Sequence, residues 1–347
     1  MINIAILGAG RIAQKMAKTV SLMESGPRYA GTVHLYAVAT RDSLARAQAF
    51  ADEYGVEVAY GSYADMLDDA DVDLVYIATP HVFHAQQAIA CMEAGKHVLV
   101  EKPFAVNAAD ALRMIEKSHE TGLVCAEAIW TRYEPSRAII QNVLDSGQIG
   151  DIVSMSGNLS YPMTHKERLV NPALAGGALL DVGIYPLNFV SMFMPGEVER
   201  VVSSARLSGL NGSVLSGSSI LPGQQTDELS QTTLWYSGGQ MASVTSSYFE
   251  VGDRHGVIRG TKGYLWVDNV NNPLDIHVWN SKHELVKSLF APQQLTGFEY
   301  EVASTVAAIS RGDVEPREMP HAETLRMMRL MDEIRAQWGL VYPSELE

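Results

Sequence analysis

Three clusters of residues in this chain could do chemistry together. Gly8-Ala9-Gly10-Arg11-Ile12-Ala13 follows an apolar run at the start. Glu101-Lys102-Pro103 closes the run His97-Val98-Leu99-Val100. Asp181-Val182-Gly183-Ile184-Tyr185 lies in an apolar stretch of the second half. The glycine cluster suits a dinucleotide: Gly8 allows a tight turn, Gly10 lets backbone approach a pyrophosphate, and Ala13 keeps the third position small for helix–strand packing. The helix that opens there, at Arg11 and Ile12, offers N–H groups and a positive dipole end to phosphate. Glu101 and Lys102 stand at the C-terminal end of a strand, where ligands of open α/β sheets collect.

Hydride transfer between an alcohol and a carbonyl needs a group that handles the hydroxyl proton. Tyrosine is too weak a base at its ordinary pKa near 10, but a neighbouring ammonium favours the phenolate. A lysine at about 4 Å contributes up to roughly 4 kcal/mol at an effective dielectric near 20. Lys102 and Tyr185 therefore make a chemically sensible pair, with Lys102 also polarising the substrate oxygen. Asp181 lies one helical turn before Tyr185 and can bind substrate or orient the pair. The plainer alternatives are a core aromatic for Tyr185 and a structural hydrogen bond for Asp181.

The second strand selects the dinucleotide. It ends Val38-Ala39-Thr40-Arg41-Asp42, and the Arg41 guanidinium with the Thr40 hydroxyl suits the 2′-phosphate of NADP. Asp42 either caps the next helix or accepts a ribose hydroxyl, which leaves NAD open. The fourth strand ends Ala78-Thr79-Pro80-His81-Val82-Phe83-His84, placing Thr79, Pro80 and His81 on the same sheet edge, with His84 there too or packed locally. Trp130 and Tyr161 are candidates for an apolar wall over a ring-shaped substrate, Tyr161 being equally explained by packing. No histidine cluster has metal-ligand spacing, and His321 with Glu323 fits the entry of a helix.

These residues need a scaffold, and the hydrophobic rhythm supplies one. Strand-like runs at 2–7, 33–39, 56–59, 74–78, 97–100 and 123–126 alternate with helical patterns near 11–24, 43–54, 63–68, 83–94 and 108–120. That alternation predicts a doubly wound parallel sheet over residues 1–125. Beyond residue 151 longer strand-like runs follow at 152–159, 198–208, 230–236, 241–248, 257–267 and 275–279, with hairpin-like turns at 237–239 and 260–263. One apolar helix near 178–194 interrupts them and two helices, 297–310 and 321–338, close the chain. Residues 126–347 thus read as an α+β domain with a large, mostly antiparallel open sheet, its closing helices packing back toward the first domain. The Ser-, Gly-, Asn- and Gln-rich stretch 209–226 reads as a surface excursion.

Composition narrows the partners. A chain of 347 residues with 26 basic and 40 acidic side chains has a formal charge of −14, which argues against a nucleic-acid groove or an anionic membrane surface. Cys91 and Cys125 are far apart, without zinc or disulfide spacing, and read as small buried hydrophobes of a reducing compartment. No apolar run is expected to reach the roughly 18 residues of a spanning helix, and the chain begins without a charged leader. A cytoplasmic protein is the expectation.

Taken jointly, the glycine turn, the Ala78–His84 segment, Gly95-Lys96-His97-Val98-Leu99-Val100-Glu101-Lys102-Pro103, the turn Gly260-Thr261-Lys262-Gly263 and the closing helix resemble the Gfo/Idh/MocA oxidoreductases over nearly the whole length. Glu127-Ala128-Ile129-Trp130-Thr131-Arg132-Tyr133 and Gly176-Gly177-Ala178-Leu179-Leu180-Asp181-Val182-Gly183-Ile184-Tyr185 are similar to its dihydrodiol and NADP-linked xylose dehydrogenase branch. The resemblance implies a Rossmann domain, a cis bond before Pro103, His81 beside the nicotinamide, and Arg132 with Trp130, Tyr161 and Asp181 near the substrate. It also implies that Tyr185 stands where most of the family keeps an acid–base histidine. The expected activity is NADP-dependent hydride transfer on a sugar, cyclic polyol or related carbonyl, dihydrodiol-type oxidation included, by a homodimer or higher oligomer joined through the second sheet. A catalytically idle dinucleotide sensor is the alternative.

Overall fold

The computed structural model describes residues 1–209 and 222–346. Most of the stretch read as a surface excursion lies outside the described residues. The chain divides into two compact units, residues 1–133 with 294–326, and residues 134–293 with 327–347.

The first unit grows from short, mostly apolar strands, of which β4 is apolar and buried on both faces. β1 (Ile2–Leu7), β2 (Val33–Ala39), β3 (Val58–Tyr60), β4 (Leu74–Ile77), β5 (His97–Glu101) and β6 (Cys125–Ala128) form a parallel sheet in the order β3-β2-β1-β4-β5-β6. Ile4, Ile6, Leu35, Val38, Val75, Ile77, Val98 and Val100 are all buried, as a sheet covered on both sides requires. Between the strands run α1 (Arg11–Ser25), α2 (Leu44–Tyr54), α3 (Tyr63–Leu67), α4 (His84–Glu93) and α5 (Ala108–Thr121). Helix starts follow side-chain chemistry: Ser43, Ser62 and Asn107 each accept a backbone N–H three residues on. Asp42 is therefore not the cap of α2; Ser43 is. The order reverses direction between β1 and β4, and the glycine turn and the Thr79 turn lie at that switch point.

The second unit holds β7 (Ile152–Ser160), β8 (Val198–Leu207), β9 (Asp227–Tyr236), β10 (Met241–Ser247), β11 (Gly256–Gly260), β12 (Gly263–Val267), β13 (Asp275–Asn280) and β14 (Leu285–Phe290) in one eight-stranded sheet. Its order is β14-β13-β12-β11-β7-β10-β9-β8. Only β7 and β10 run parallel; the other pairs are antiparallel. The run 257–267 is two strands folded at Thr261-Lys262, as the turn residues indicated. Sequence reading passed over α6 (Pro135–Asp145), which opens on a proline and buries only Ser136, Ile140 and Val143, and over β14, an edge strand exposed along nearly all its length.

The apolar stretch 172–193 corrects one expectation. It is 22 residues long and apolar enough, by length and composition, to cross a membrane, yet most of it is buried within the fold. It is a core element, laid on one face of the second sheet. Phe189 packs there so tightly that a Cβ at Gly256 would lie 2.6 Å from its ring and one at Gly157 would lie 3.5 Å from it. Close packing, not hydropathy alone, explains the composition.

Candidate active site

In the first unit, Gly8 has φ +107 and a Cβ there would meet the Ala78 carbonyl oxygen at 3.2 Å. Only glycine lets the turn pass so close to the end of β4. Gly10 is the contrasting case: its Cβ would meet nothing within 4 Å, and no side chain caps the helix it opens. The N–H groups at Arg11 and Ile12 thus head a helix whose approach is open, which fits a pyrophosphate.

At the end of β2 the Thr40 hydroxyl is already committed, donating to the Ser43 carbonyl oxygen at 2.6 Å, and Thr40 is 4% exposed. Arg41 is well exposed, with Nε 3.7 Å from an Asp42 carboxyl oxygen. The second cation is Arg46, which the sequence reading overlooked. It sits in the first turn of α2 and its guanidinium donates to the Ala9 carbonyl oxygen at 3.3 Å, within the glycine turn itself. Its place in the first turn of the helix that follows Arg41 was the available signal.

The Thr79 and Lys102 turns are tied together by His84. Its Nδ1 lies 2.9 Å from the Pro103 carbonyl oxygen and its Nε2 lies 2.9 Å from the Thr79 carbonyl oxygen, with the ring fully buried. Burial pushes its pKa down while those carbonyls, in opposition, favour the charged ring. His84 is thus placed to fix backbone, with the His81 ring 5.9 Å away and the Thr79 hydroxyl donating to Gln87 at 2.5 Å. Pro80 precedes the short turn His81–Phe83. The Lys102–Pro103 peptide is cis. Glu101, 7% exposed, accepts from the Tyr76 hydroxyl and from the Lys102 N–H at 3.1 Å, so its carboxyl braces the turn that carries the lysine.

Behind that turn lies a buried polar network. Glu127 is 2% exposed, accepts from the Thr324 hydroxyl at 2.9 Å and from the Phe104 N–H, and burial raises its carboxyl to about 7. Arg132, 3% exposed, is ion-paired with Glu323, which also holds Arg326. Trp130 stacks on Phe298 with centroids 4.6 Å apart, and Gly297 is required beneath it because a Cβ would strike the indole. Both residues thus have substantial packing roles inside the first unit.

In the second unit, Asp181 and Tyr185 are buried, at 3% and 8% exposure. Leu179–Gly183 forms a π turn that runs into α7 (Ile184–Phe193), and the Ile184 N–H reaches back to the Leu179 carbonyl. Such bulges are enriched at functional sites. Gly183 is needed for the helix to approach β10: a Cβ would lie 2.8 Å from the Ser246 hydroxyl. Asp181 is gripped by Arg168 through two bonds, at 2.6 and 3.1 Å, a fork geometry that fixes the carboxylate and offsets its charge. Arg168 could not be picked from sequence, because a short helix, Glu167–Val170, must fold back to bring it there. Tyr161 is half-buried at the end of β7, its N–H donating to the Ser247 carbonyl at 3.0 Å.

A parallel sheet of order 3-2-1-4-5-6, with a glycine turn at its switch point and a braced lysine at the end of its fifth strand, defines an oxidoreductase of the dinucleotide-binding type. The chain belongs to the Gfo/Idh/MocA oxidoreductase family, whose NAD-binding Rossmann domain matches residues 2–128 and whose C-terminal domain matches residues 138–266. It is 31% identical over 315 residues to the trans-1,2-dihydrobenzene-1,2-diol dehydrogenase of Bos taurus, covering 89% of this chain and 90% of that one. It is 29% identical over 344 residues to the Mus musculus enzyme of the same name, with 98% of each chain covered. Among solved structures it is similar to a 3-ketoreductase from Actinomadura kijaniata in complex with NADP and TDP-benzene, at 25% identity and a TM-score of 0.81, covering 98% of this chain and 99% of that one.

Proposed function

We propose that this enzyme transfers hydride between NADP(H) and a sugar, cyclic polyol or related carbonyl compound, with trans-dihydrodiol oxidation within its range. The bound nicotinamide would supply or accept the hydride. The chain's own contribution is at the oxygen: Lys102 polarises it and Tyr185 gives or takes its proton, with Asp181 held by Arg168 to orient the pair or bind substrate. Trp130, Arg132 and Tyr161 shape the substrate side, with Arg132 held by Glu323 and Trp130 stacked on Phe298.

The observation that carries this reading is the bracing of Lys102. A solvated strand-end lysine needs neither a buried glutamate on its own N–H nor a histidine bridging its turn to the Thr79 turn, and Lys102 has both. NADP is preferred over NAD because two guanidinium groups, Arg41 and Arg46, stand at the end of β2 and the glycine turn, where an adenosine 2′-phosphate would lie. The first domain, 1–125, serves the cofactor, while 126–347 serves substrate and self-association. The half-buried aromatic face around Trp266, His277, Tyr264 and Trp279 supports a homodimer through the second sheet.

The test is reduction of NADP+ with a panel of sugars, polyols and trans-dihydrodiols, run on the native enzyme and on Lys102→Met. Turnover that falls about 100-fold or more in the variant, with cofactor affinity retained, supports the assignment. No turnover on any compound by the native enzyme, despite tight NADPH binding, would favour a sensor.

A further inference from the structure

The helical segment that presents Asp181 and Tyr185 begins at Ala178 without a side-chain cap from its own first turn. The opening N–H groups of such a segment need acceptors. They are met from far away in sequence. Asp227, the first residue of β9, accepts the Leu179 N–H at 2.7 Å through Oδ2, and the neighbouring Ala178 N–H also favours its charge. Asp227 is completely buried.

The surrounding residues are built around this contact. Gly177 has φ +131, and a Cβ there would sit on the Asp227 carboxyl oxygen, so the glycine before the helix is dictated by the aspartate. Gly176 is constrained as well, since its Cβ would lie 2.5 Å from the Leu169 carbonyl oxygen, in the short helix that carries Arg168. The charged and titratable groups facing Asp227 come from three directions. From the closing helix, His321–Trp338, comes Arg335, whose guanidinium also donates to Asp332 at 2.8 Å. From the C-terminal turn comes Tyr342, while Glu345 accepts from that same Arg335 at 2.8 Å. Beyond β10 stands Tyr248.

We propose that Asp227 is a positioning residue for the reaction: by holding the Leu179 N–H it fixes the turn on which Asp181 and Tyr185 ride, and so sets where the Tyr185 hydroxyl meets substrate. This rests on the proton-transfer role given to Tyr185 above. The choice of a carboxylate is informative. An asparagine could accept the same N–H without a buried charge, whereas a carboxylate also complements the positive end of the helical segment. Burial raises the carboxyl to about 7, while the Leu179 N–H, other nearby backbone N–H groups and Arg335 favour the ionised form. By reciprocity, adding a proton weakens the hold on those N–H groups. The grip therefore loosens within the native state as pH falls through about 7.

The experiment uses the full-length enzyme loaded with NADPH. Amide hydrogen exchange of the 177–185 segment is followed from about pH 8.5 to 5.5, corrected for intrinsic exchange, together with turnover of the native enzyme and Asp227→Asn. The expected result is protection at Ala178 and Leu179 that falls about tenfold toward low pH in the native enzyme and is pH-independent in Asp227→Asn. The variant should also lose about tenfold in kcat at high pH, lose the acid limb of the native kcat profile, and bind NADPH normally. A folded variant with native kcat and native protection at Leu179 overturns the proposal; native protection that does not change with pH overturns its pH dependence. Should Asp227→Asn fail to fold, Asp227→Ser is read by the same two measurements. Failure of the Tyr185 reading is separable: it would show as near-normal turnover of Tyr185→Phe, a result to which amide protection is blind.

Discussion

Glu127 offers a test of the buried network behind Lys102, because its expected effect has a sign as well as a size. Its carboxyl is 2% exposed and is raised from 4.5 to about 7, chiefly by burial, with Thr324, Arg132 and the Phe104 N–H pulling the other way. At about 1.36 kcal/mol per pH unit, that places about 3 kcal/mol against the ionised form in the folded state. Between about pH 4.5 and 7 the folded chain keeps a proton that the unfolded chain has released. The contribution to stability is therefore full below about pH 4.5 and is lost as pH rises through about 7. Glu127→Gln keeps the volume and one acceptor oxygen but cannot ionise. Its amide hydrogens cost about 1–3 kcal/mol if they find no acceptor, and that cost is the same at every pH. The diagnostic quantity is the variant-minus-native difference, which should move by about 2–3 kcal/mol in the variant's favour between about pH 5 and pH 8. At about 2–4 °C per kcal/mol this is a relative shift of roughly 4–12 °C in unfolding midpoint. Thermal unfolding of both proteins at the two pH values measures it. A variant that is relatively worse at the higher pH would refute the reasoning, and would mean that Glu127 is held as an anion by Arg132.

Three further outcomes follow from the geometry. Arg46→Ala should lower kcat/KM for NADP+ by about tenfold and for NAD+ hardly at all, because only a 2′-phosphate calls on that guanidinium; equal losses would remove it from the phosphate site. Arg168→Met leaves the Asp181 carboxylate without its fork, and since Arg168 is itself partly exposed the stability cost should be about 1–2 kcal/mol; a double-mutant cycle with Asp181→Asn in unfolding and turnover should show the two losses to be strongly non-additive. Gly183→Ala should cost about 1–3 kcal/mol by pressing a methyl group on Ser246, with partial recovery in the Gly183→Ala, Ser246→Ala double variant, read by thermal unfolding.

The fold was legible where local chemistry and global packing agree. The parallel sheet could be read because short apolar runs such as Leu74–Ile77 alternate with helical patterns. The caps Ser43, Ser62 and Asn107 were not used, and Asp42 was offered in place of Ser43. β14 escaped because it is exposed along nearly all its length, whereas α6 does carry a helical period, Ser136, Ile140 and Val143, that the reading passed over. The stretch 172–193 was misjudged in the other direction: its hydropathy reflects Phe189 and its neighbours packed on a sheet whose glycines leave room for them. At the site, residues named for direct contact are seen to have close protein partners as well. Thr40 is bonded to Ser43, Arg132 to Glu323 and Asp181 to Arg168. Arg168 and Asp227 were invisible because their roles exist only once chain segments distant in sequence fold back, and no local pattern encodes that return.

The central claim is that Tyr185 carries the proton while Lys102 holds the oxygen. Its most direct test is steady-state turnover of Tyr185→Phe with NADP+ and the best compound from the substrate panel, alongside NADPH binding. The account predicts a kcat lowered by about 100-fold or more with cofactor affinity unchanged. A phenylalanine variant that turns over at close to the native rate would contradict it.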